Sequence, residues 1–347
     1  MNSSISRQGR QKIFAWVVLG CIALAIGYTA WVIQRADAYA DHAQTQGQGA
    51  PLSIAGSNEL KAIQKQPHLL FVNMENPYSA QVKLAGLDSA FHQRAQTALR
   101  CERIHYAAGN GICLSYDTYD VQLVSVTLFG SDFKPRYQFK SEGLLSRARV
   151  SPDGKYAAFT VFVTGHSYND ANMSTATILL DADTGVSVGN LEEFETWKDG
   201  ALYQAPEFNF WGVTFAQDSN RFFATLRHGN TTYLVQGDIA ARKLTVLREN
   251  VECPSLSPDG TRIAFKKRLP TGLWQFTVLD LATIKEIPLA EQESIDDQVE
   301  WLDNEHILYQ KFDSDAPNWV SVFVLPADGS GKPEVFIPGA ISPVIVR

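Results

Sequence analysis

Few side chains in this 347-residue sequence have the spacing that catalysis requires. His166, Ser167 and Asp170 are the residue types of a catalytic triad, but three members within five residues cannot take up its three roles without support from elsewhere. Residues 329–332 read Gly-Ser-Gly-Lys, yet the spacing of a phosphate loop is missing, which favours a hairpin turn. No Gly-x-Ser-x-Gly, His-Glu-x-x-His or Walker motif occurs. We therefore predict no catalytic residues, no enzyme activity and no cofactor.

Metal binding is not predicted either. Asp313, Asp315 and Asn318 begin like a calcium loop, but an EF-hand needs Gly at its sixth position and Glu at its twelfth, and neither is present. The histidines are scattered, and there is no Cys-x-x-Cys pair. The alternative is a hydrolase or lactonase-like enzyme, in which a metal could be held in the central channel of the fold described below.

A second set of residues is suited to recognition. Tyr and Trp offer rigid contact area with a polar handle, and loops on a rigid scaffold commonly carry binding residues. The candidate binding residues are His166, Tyr168, Asn169, Asp170, Trp197, Tyr203, Trp211, Tyr78, Tyr119, Trp274, Asp313, Asp315 and Trp319. The simpler interpretation of any one of them is that the ring packs between strands or that the acid makes a turn.

A repeated strand–turn–strand unit must position these residues. Segments 151–159 and 257–265 read SPDGKYAAF and SPDGTRIAF. In Ser-Pro-Asp-Gly, Pro fixes φ at the second turn position, and Gly takes the left-handed position that closes a hairpin. Weaker copies start at 106, 216 and 301. A period of about 40–50 residues with several short strands per unit is typical of a β-propeller.

The two ends of the chain are predicted to complete one blade together. Residues 341–347 resemble the strand before the second clear turn, so a lone innermost strand is expected there. Strand patterns at 68–74, 80–87 and 93–99 lack partners. Pairing them with 341–346 gives six blades in a closed ring without an open sheet edge. Five blades with one disordered end is the alternative.

Strand direction predicts which loops share a face. If each blade has strands A to D from the axis outwards, the B–C and D–A connections lie on one face, here called the distal face. The longest interval between repeats holds about 20 extra residues, in 165–174 or 192–211. Insertions in a repeat array usually mark the binding side, so the distal face is the predicted recognition surface.

The SPDG-x-x-(A/I)-A-F pattern resembles the PD40, or WD40-like, repeats of the TolB-type six-bladed propellers of bacterial envelopes, over about residues 68–347. The resemblance implies the fold and an envelope location. It says little about function, because the repeat builds blades rather than a chemical site. TolB proper carries an N-terminal α/β domain, and here a hydrophobic segment and a polar stretch stand in its place.

The N-terminal region predicts a membrane anchor. Ile13 to Ile33 is uncharged and long enough to cross a hydrocarbon layer of about 30 Å. The cations Arg7, Arg10 and Lys12 place the N-terminus in the cytoplasm. We expect residues 1–12 to be cytoplasmic, 13–33 a transmembrane helix in the bacterial inner membrane, 34–66 a flexible tether and 67–347 the propeller, in the periplasm or outside. A cleaved signal peptide is the alternative, since Ala38-Tyr39-Ala40 has the small-x-small form.

Export would permit a disulfide between Cys101 and Cys113, which flank the weakest turn. With Tyr106 opposite Asn110, they lie one diagonal step apart on one sheet face, and the bond is predicted to be strained.

Composition narrows the function. A hydrophobic fraction of 45% excludes intrinsic disorder, and a net charge of −7 argues against a nucleic-acid partner. We predict a membrane-tethered, exported propeller that binds an envelope protein or peptide. The alternatives are the channel enzyme and a small-ligand or glycan sensor, although a 12-residue cytoplasmic segment leaves a sensor no output domain.

Overall fold

A computed structural model describes residues 53–54, 58–75, 80–87, 94–117, 119–170 and 172–347, together with Trp16 and Gly27. The chain divides into two compact units, residues 1–50 and 51–347. The predicted span Ile13–Ile33 lies outside the described residues except for Trp16 and Gly27, which are helical and exposed. Among the ranges just given, no helix is both long and apolar enough to cross a membrane.

The second unit contains six sheets, each with four antiparallel strands that we label A to D from the axis outwards. Blade 1 is Arg103–Ala107, Asn110–Tyr116, Leu123–Gly130 and Pro135–Glu142; blade 2 is Leu144–Val150, Tyr156–Thr164, Ser174–Asp181 and Ser187–Asn190; blade 3 is Asn209–Phe215, Arg221–His228, Thr231–Asp238 and Lys243–Glu249. Blade 4 is Glu252–Leu256, Arg262–Arg268, Trp274–Asp280 and Glu286–Pro288; blade 5 is Glu300–Trp301, His306–Phe312, Val320–Pro326 and Glu334–Pro338; blade 6 is Ala340–Val346, His68–Asn73, Gln81–Gly86 and Arg94–Arg100. The six-bladed prediction is confirmed.

The Ser-Pro-Asp-Gly motif makes the A–B turn through its side chains. In the first copy, Ser151 Oγ donates to Asp153 Oδ1 at 2.7 Å, and the same carboxylate oxygen accepts from the Lys155 N–H at 2.9 Å. Gly154 has a φ of +75°, which an L-residue rarely adopts. The second copy repeats the serine-to-aspartate bond between Ser257 and Asp259. Each motif therefore fixes its own hairpin.

The ring closes where the sequence predicts. Strand Ala340–Val346 pairs antiparallel with His68–Asn73, with Leu69 opposite Ile345. Blade 6 thus takes its innermost strand from the C-terminal end of the chain and its other three from the N-terminal side. This pairing excludes the five-bladed alternative.

The hydrophobic core is divided into clusters between neighbouring blades. Leu70 of blade 6 packs with Ile104 of blade 1. A corresponding cluster lies between the blades of each of the five remaining neighbouring pairs. A seventh cluster, which includes Tyr168, Trp211 and Trp274, lies apart from these. Because apolar burial provides most of the stability, the fold depends on contact between blades rather than on any blade alone.

Part of the predicted tether is structured. Residues Asn58–Ile63 form a helix whose Leu60 and Ile63 are buried in the cluster between blades 6 and 1. Ser53–Ile54 pairs in parallel with Arg94–Arg100, the outermost strand of blade 6. The tether predicted over 34–66 is therefore wrong for these residues. Two apolar residues three positions apart are enough to hold a short helix against the propeller surface. The polar residues around them made this segment resemble a flexible linker in the sequence.

The extra residues 192–211 are also placed differently from the prediction. Glu195–Lys198 pairs in parallel with strand D of blade 3, and Ala201–Leu202 pairs with Glu195–Lys198. Residues 195–202 of this insertion widen blade 3 to six strands instead of projecting from the distal face. It covers the outer edge of that blade, which would otherwise expose unpaired backbone groups.

Cys101 and Cys113 are joined in a disulfide, with their Cα atoms 5.4 Å apart. The register differs from the prediction by one residue, because Asn110 pairs with Ala107 rather than with Tyr106. The bond links the connection that enters blade 1 to strand B of that blade.

Candidate functional site

The distal face carries the most exposed aromatic side chains among the described residues of the propeller. Tyr119 is 96% exposed, Phe312 66% and Trp319 57%. Tyr119 lies in the B–C connection of blade 1, whereas Phe312 and Trp319 flank the B–C connection of blade 5. Exposed apolar side chains grouped on one face are typical of an interaction surface.

These two connections lie on either side of blade 6. The amide of Asn318 in blade 5 donates to the Met74 carbonyl at the end of strand B of blade 6, so the loops of neighbouring blades are in contact. Asp313 shapes the blade 5 loop, because its Oδ2 accepts from Ser321 Oγ at 2.6 Å, and Asp315 beside it is exposed. Tyr78, also predicted to bind, lies outside the described residues. We call Tyr119, Phe312 and Trp319 the aromatic rim.

Three predicted binding residues are buried instead. Tyr168, Trp211 and Trp274 are 2%, 0% and 5% exposed. The Tyr168 ring stacks on Trp211 with centroids 4.6 Å apart, and its hydroxyl hydrogen-bonds Ser146 Oγ at 2.5 Å. Burial raises the pKa of Tyr168 far above its ordinary value. These rings pack between blades 2, 3 and 4 and are not available as a contact surface.

The inserted connection 165–173 of blade 2 carries Tyr168 into this position. Arg268 of blade 4 donates to Asn169 Oδ1 at 2.5 Å, and Arg227 of blade 3 donates to the Asp170 carbonyl at 3.1 Å. Asn169 and His166 themselves are exposed. The loop is thus fixed to two other blades, and its outer residues remain on the distal face as predicted.

Trp197 and Tyr203 lie elsewhere. Both are half-buried on or beside the extra strands at the outer edge of blade 3. The Tyr203 hydroxyl hydrogen-bonds His228 Nδ1, and burial together with Tyr233 raises the pKa of Tyr203 to about 12. The structure therefore separates the predicted binding set into an exposed distal group, a buried cluster and an outer-edge pair.

Sequence reasoning missed a group of charged residues in the central channel. They come from the innermost strands, from strand B of blade 4 and from the connection that enters blade 5. We call them the axial network: Arg103, Arg147, Arg149, Lys266, Asp296, Asp297 and Glu300. A basic residue at alternate positions of an innermost strand, as in Arg147-Ala-Arg149, is the signal that could have revealed them.

Arg149 spans the channel. Its guanidinium forms a buried ion pair with Glu300 and donates to Ser255 Oγ at 3.2 Å. Arg149 belongs to blade 2, Ser255 to blade 4 and Glu300 to blade 5, which faces blade 2 across the ring. The channel interior is therefore bridged by side chains.

Asp296 makes a second bridge. Its Oδ1 accepts from Lys266 Nζ at 2.5 Å and from Arg147 Nη2 at 3.1 Å. Lys266 is fully buried and also lies 4.0 Å from the centre of the Trp274 ring. Burial opposes ionisation of Asp296, but Lys266 and Arg147 outweigh it and hold the pKa of Asp296 below its ordinary value.

If the central channel held an active site, carboxylates or histidines should converge there, and some are present. Asp296, Asp297, Glu300 and His105 all lie by the axis, but Asp296 and Glu300 are paired with cations, and Asp297 accepts from the Gln310 N–H at 3.0 Å. Within the described part of the chain, no three His, Cys, Asp or Glu side chains are grouped to hold a metal.

Solved propellers share this fold. TolB from Acinetobacter baumannii is 15% identical, with a TM-score of 0.58 over 81% of this chain and 66% of that protein, just under two thirds of its length. A candidate TolB from Agrobacterium tumefaciens is also 15% identical, with a TM-score of 0.49 over 80% of this chain and 91% of that one. No protein-family model and no curated protein matches the sequence. The chain is a six-bladed propeller similar in fold to that of TolB from Acinetobacter baumannii.

Proposed function

We propose that this protein is a membrane-tethered propeller of the bacterial cell envelope that binds a protein or peptide partner through its distal face. The observation that carries the proposal is the aromatic rim, three large rings left exposed on one face in the two blades that flank blade 6. Aromatic side chains dominate the energetics of protein interfaces when a partner covers them. The likeness to a TolB propeller agrees with a binding role but does not define one.

The location forms part of the same proposal. It rests on the uncharged stretch Ile13–Ile33 and on the three cations before it. The disulfide Cys101–Cys113 agrees with an oxidising compartment. The channel is less suited to an active site, because the polar groups that could react are engaged with one another.

The proposal is tested by removing the rim. In cells expressing the full chain, a cell-permeable crosslinker followed by affinity purification gives the set of bound partners. The triple variant Tyr119→Ser, Phe312→Ser, Trp319→Ser is expected to reduce the main crosslinked partner by more than about tenfold, since interface hot spots are enriched in Trp and Tyr and each contributes about 2 kcal/mol or more.

The matched control replaces equally exposed residues away from that face. Val186 and Ile284 lie in the C–D turns of blades 2 and 4 and are 63% and 59% exposed. Their serine variants should leave the crosslinked partner unchanged. Equal loss from both sets, or no loss from the rim variant, contradicts the proposal.

A further inference from the structure

A small cavity lies within the axial network. Its volume is about 30 Å³, and Arg103, Arg147, Arg149 and Asp297 are among the residues that line it. This is room for one or two water molecules or one small anion. A larger cavity of about 270 Å³, which the A–B turns also line, shares Arg149 with it. The two cavities are therefore neighbours along the channel.

Two of the arginines keep a donor without an acceptor. Arg147 and Arg149 are each 8% exposed, and the buried Nε–H of each has no hydrogen-bond partner among the residues that the structure describes. They lie two residues apart on one strand, so both side chains leave it on the same side. Leaving a buried charged donor unpaired is costly, so an acceptor beside them is favoured.

The charges around the cavity do not balance. Arg103, Arg147 and Arg149 line the cavity with a single carboxylate, Asp297, and the whole axial network has four cations and three carboxylates. Glu102 lies beside Arg103, but burial raises the pKa of its carboxyl group and so disfavours a fourth negative charge. The nearby Glu252 is paired with Arg268 and adds no net charge. His105 Nδ1 accepts the Val150 N–H, and burial together with Arg149 and Arg347 holds the pKa of His105 well below its ordinary value, so the ring is neutral. Burial raises the pKa of the Cys253 thiol, which is neutral as well.

We propose that this cavity binds a single small monovalent anion of the halide class, held by the Nε–H groups of Arg147 and Arg149. A water molecule could accept the same hydrogen bonds but would leave the excess charge uncompensated in a site of low dielectric constant. The volume suits a halide and is small for a tetrahedral oxyanion. The site is independent of the distal-face partner, and its loss would leave the proposed function intact.

The test uses the full chain in detergent micelles, with chloride exchanged for gluconate at constant ionic strength. A ligand that binds only the folded state raises the melting temperature as its concentration increases. The wild-type melting temperature is expected to rise with added chloride and then to saturate, and bromide should act in the same way. Arg103→Gln, which removes the excess charge, should abolish the shift.

The variant Asp297→Asn is expected to strengthen chloride binding, in contrast to Arg103→Gln. It keeps an oxygen for the Gln310 N–H and raises the excess charge, so the half-saturating chloride concentration should fall several-fold. The control Arg221→Gln removes a surface cation paired with Asp218 and should respond to chloride like the wild type.

A melting temperature that does not depend on chloride overturns the proposal, and the cavity then holds water only. Crystals soaked in bromide give an independent result that needs no variant. An anomalous peak between Arg147 and Arg149 is expected, and its absence at full exchange contradicts the site.

Discussion

Asp296 accepts a hydrogen bond from the fully buried Lys266 at 2.5 Å, and the two residues come from different blades. The same carboxylate binds Arg147 of blade 2, so one side chain connects three parts of the ring at its axis. Charged side chains therefore bridge the interior of this propeller.

Replacing Asp296 with Asn should destabilise the protein by about 1–2 kcal/mol, because it removes the carboxylate paired with the buried Lys266 ammonium, although solvent screens part of this interaction at a side chain that is 36% exposed. Urea unfolding measures the change. Asp199→Asn, at an exposed turn, is the control and should cost less than about 0.5 kcal/mol. Equal stability of the two variants would show that the axial pair does not contribute.

The stability of the protein should also depend on the strand that closes the ring. Val344 is 1% exposed in the strand that completes blade 6, and Val344→Asp should cost more than about 3 kcal/mol by burying an unpaired charge. Val335→Asp, on a half-exposed residue of blade 5, is the matched control. If both variants unfold at the same urea concentration, the C-terminal strand does not hold the ring together.

The disulfide should contribute about 2–3 kcal/mol, because Cys101 and Cys113 close a loop with a sequence separation of 12. A reducing agent is therefore expected to lower the melting temperature of the wild type and to leave the double variant Cys101→Ser, Cys113→Ser unchanged. A wild type that melts at the same temperature with and without reductant contradicts this prediction.

Stability should fall as the pH drops below about 6.5. Burial and the neighbouring Arg149 lower the pKa of His105, so the unfolded chain binds a proton that the folded protein does not, and stability is lost between the unfolded and folded pKa values. One such proton gives a slope of at most about 1.4 kcal/mol per pH unit.

The variant His105→Asn isolates this contribution. It keeps an acceptor for the Val150 N–H but does not titrate, so the difference in unfolding free energy between pH 7 and pH 5.5 should become smaller. An unchanged difference would assign the pH dependence to other groups, such as His68, whose pKa burial also lowers.

The sequence predicted the ring well because its turns are locally encoded. Ser151 and Asp153 lie two residues apart within the hairpin turn that they stabilise, and the pattern repeats at Ser257 and Asp259. The closing strand could be found because a propeller with an open edge is unfavourable. Both features depend on residues close in sequence or on a general rule of sheets.

The site was harder to predict because exposure depends on packing between distant residues. Trp211 is of a type suited to either an interface or a core, and it is buried by Tyr168, 43 positions earlier in the chain. A β-bulge between Trp211 and Thr214 changes which side chains face the neighbouring blade. The axial network was missed for the same reason, since Arg149 and Glu300 meet only when the ring is closed.

Site-specific photo-crosslinking in living cells tests the central claim, that partners bind the distal face. A photoreactive amino acid would replace Tyr119 or Trp319 on that face, and Val186 or Ile284 in the turns of the opposite face, all four more than half exposed. If the partner binds the distal face, positions 119 and 319 give a discrete crosslinked product and positions 186 and 284 give none. Products from the turn positions alone, or the same product from all four, would contradict it.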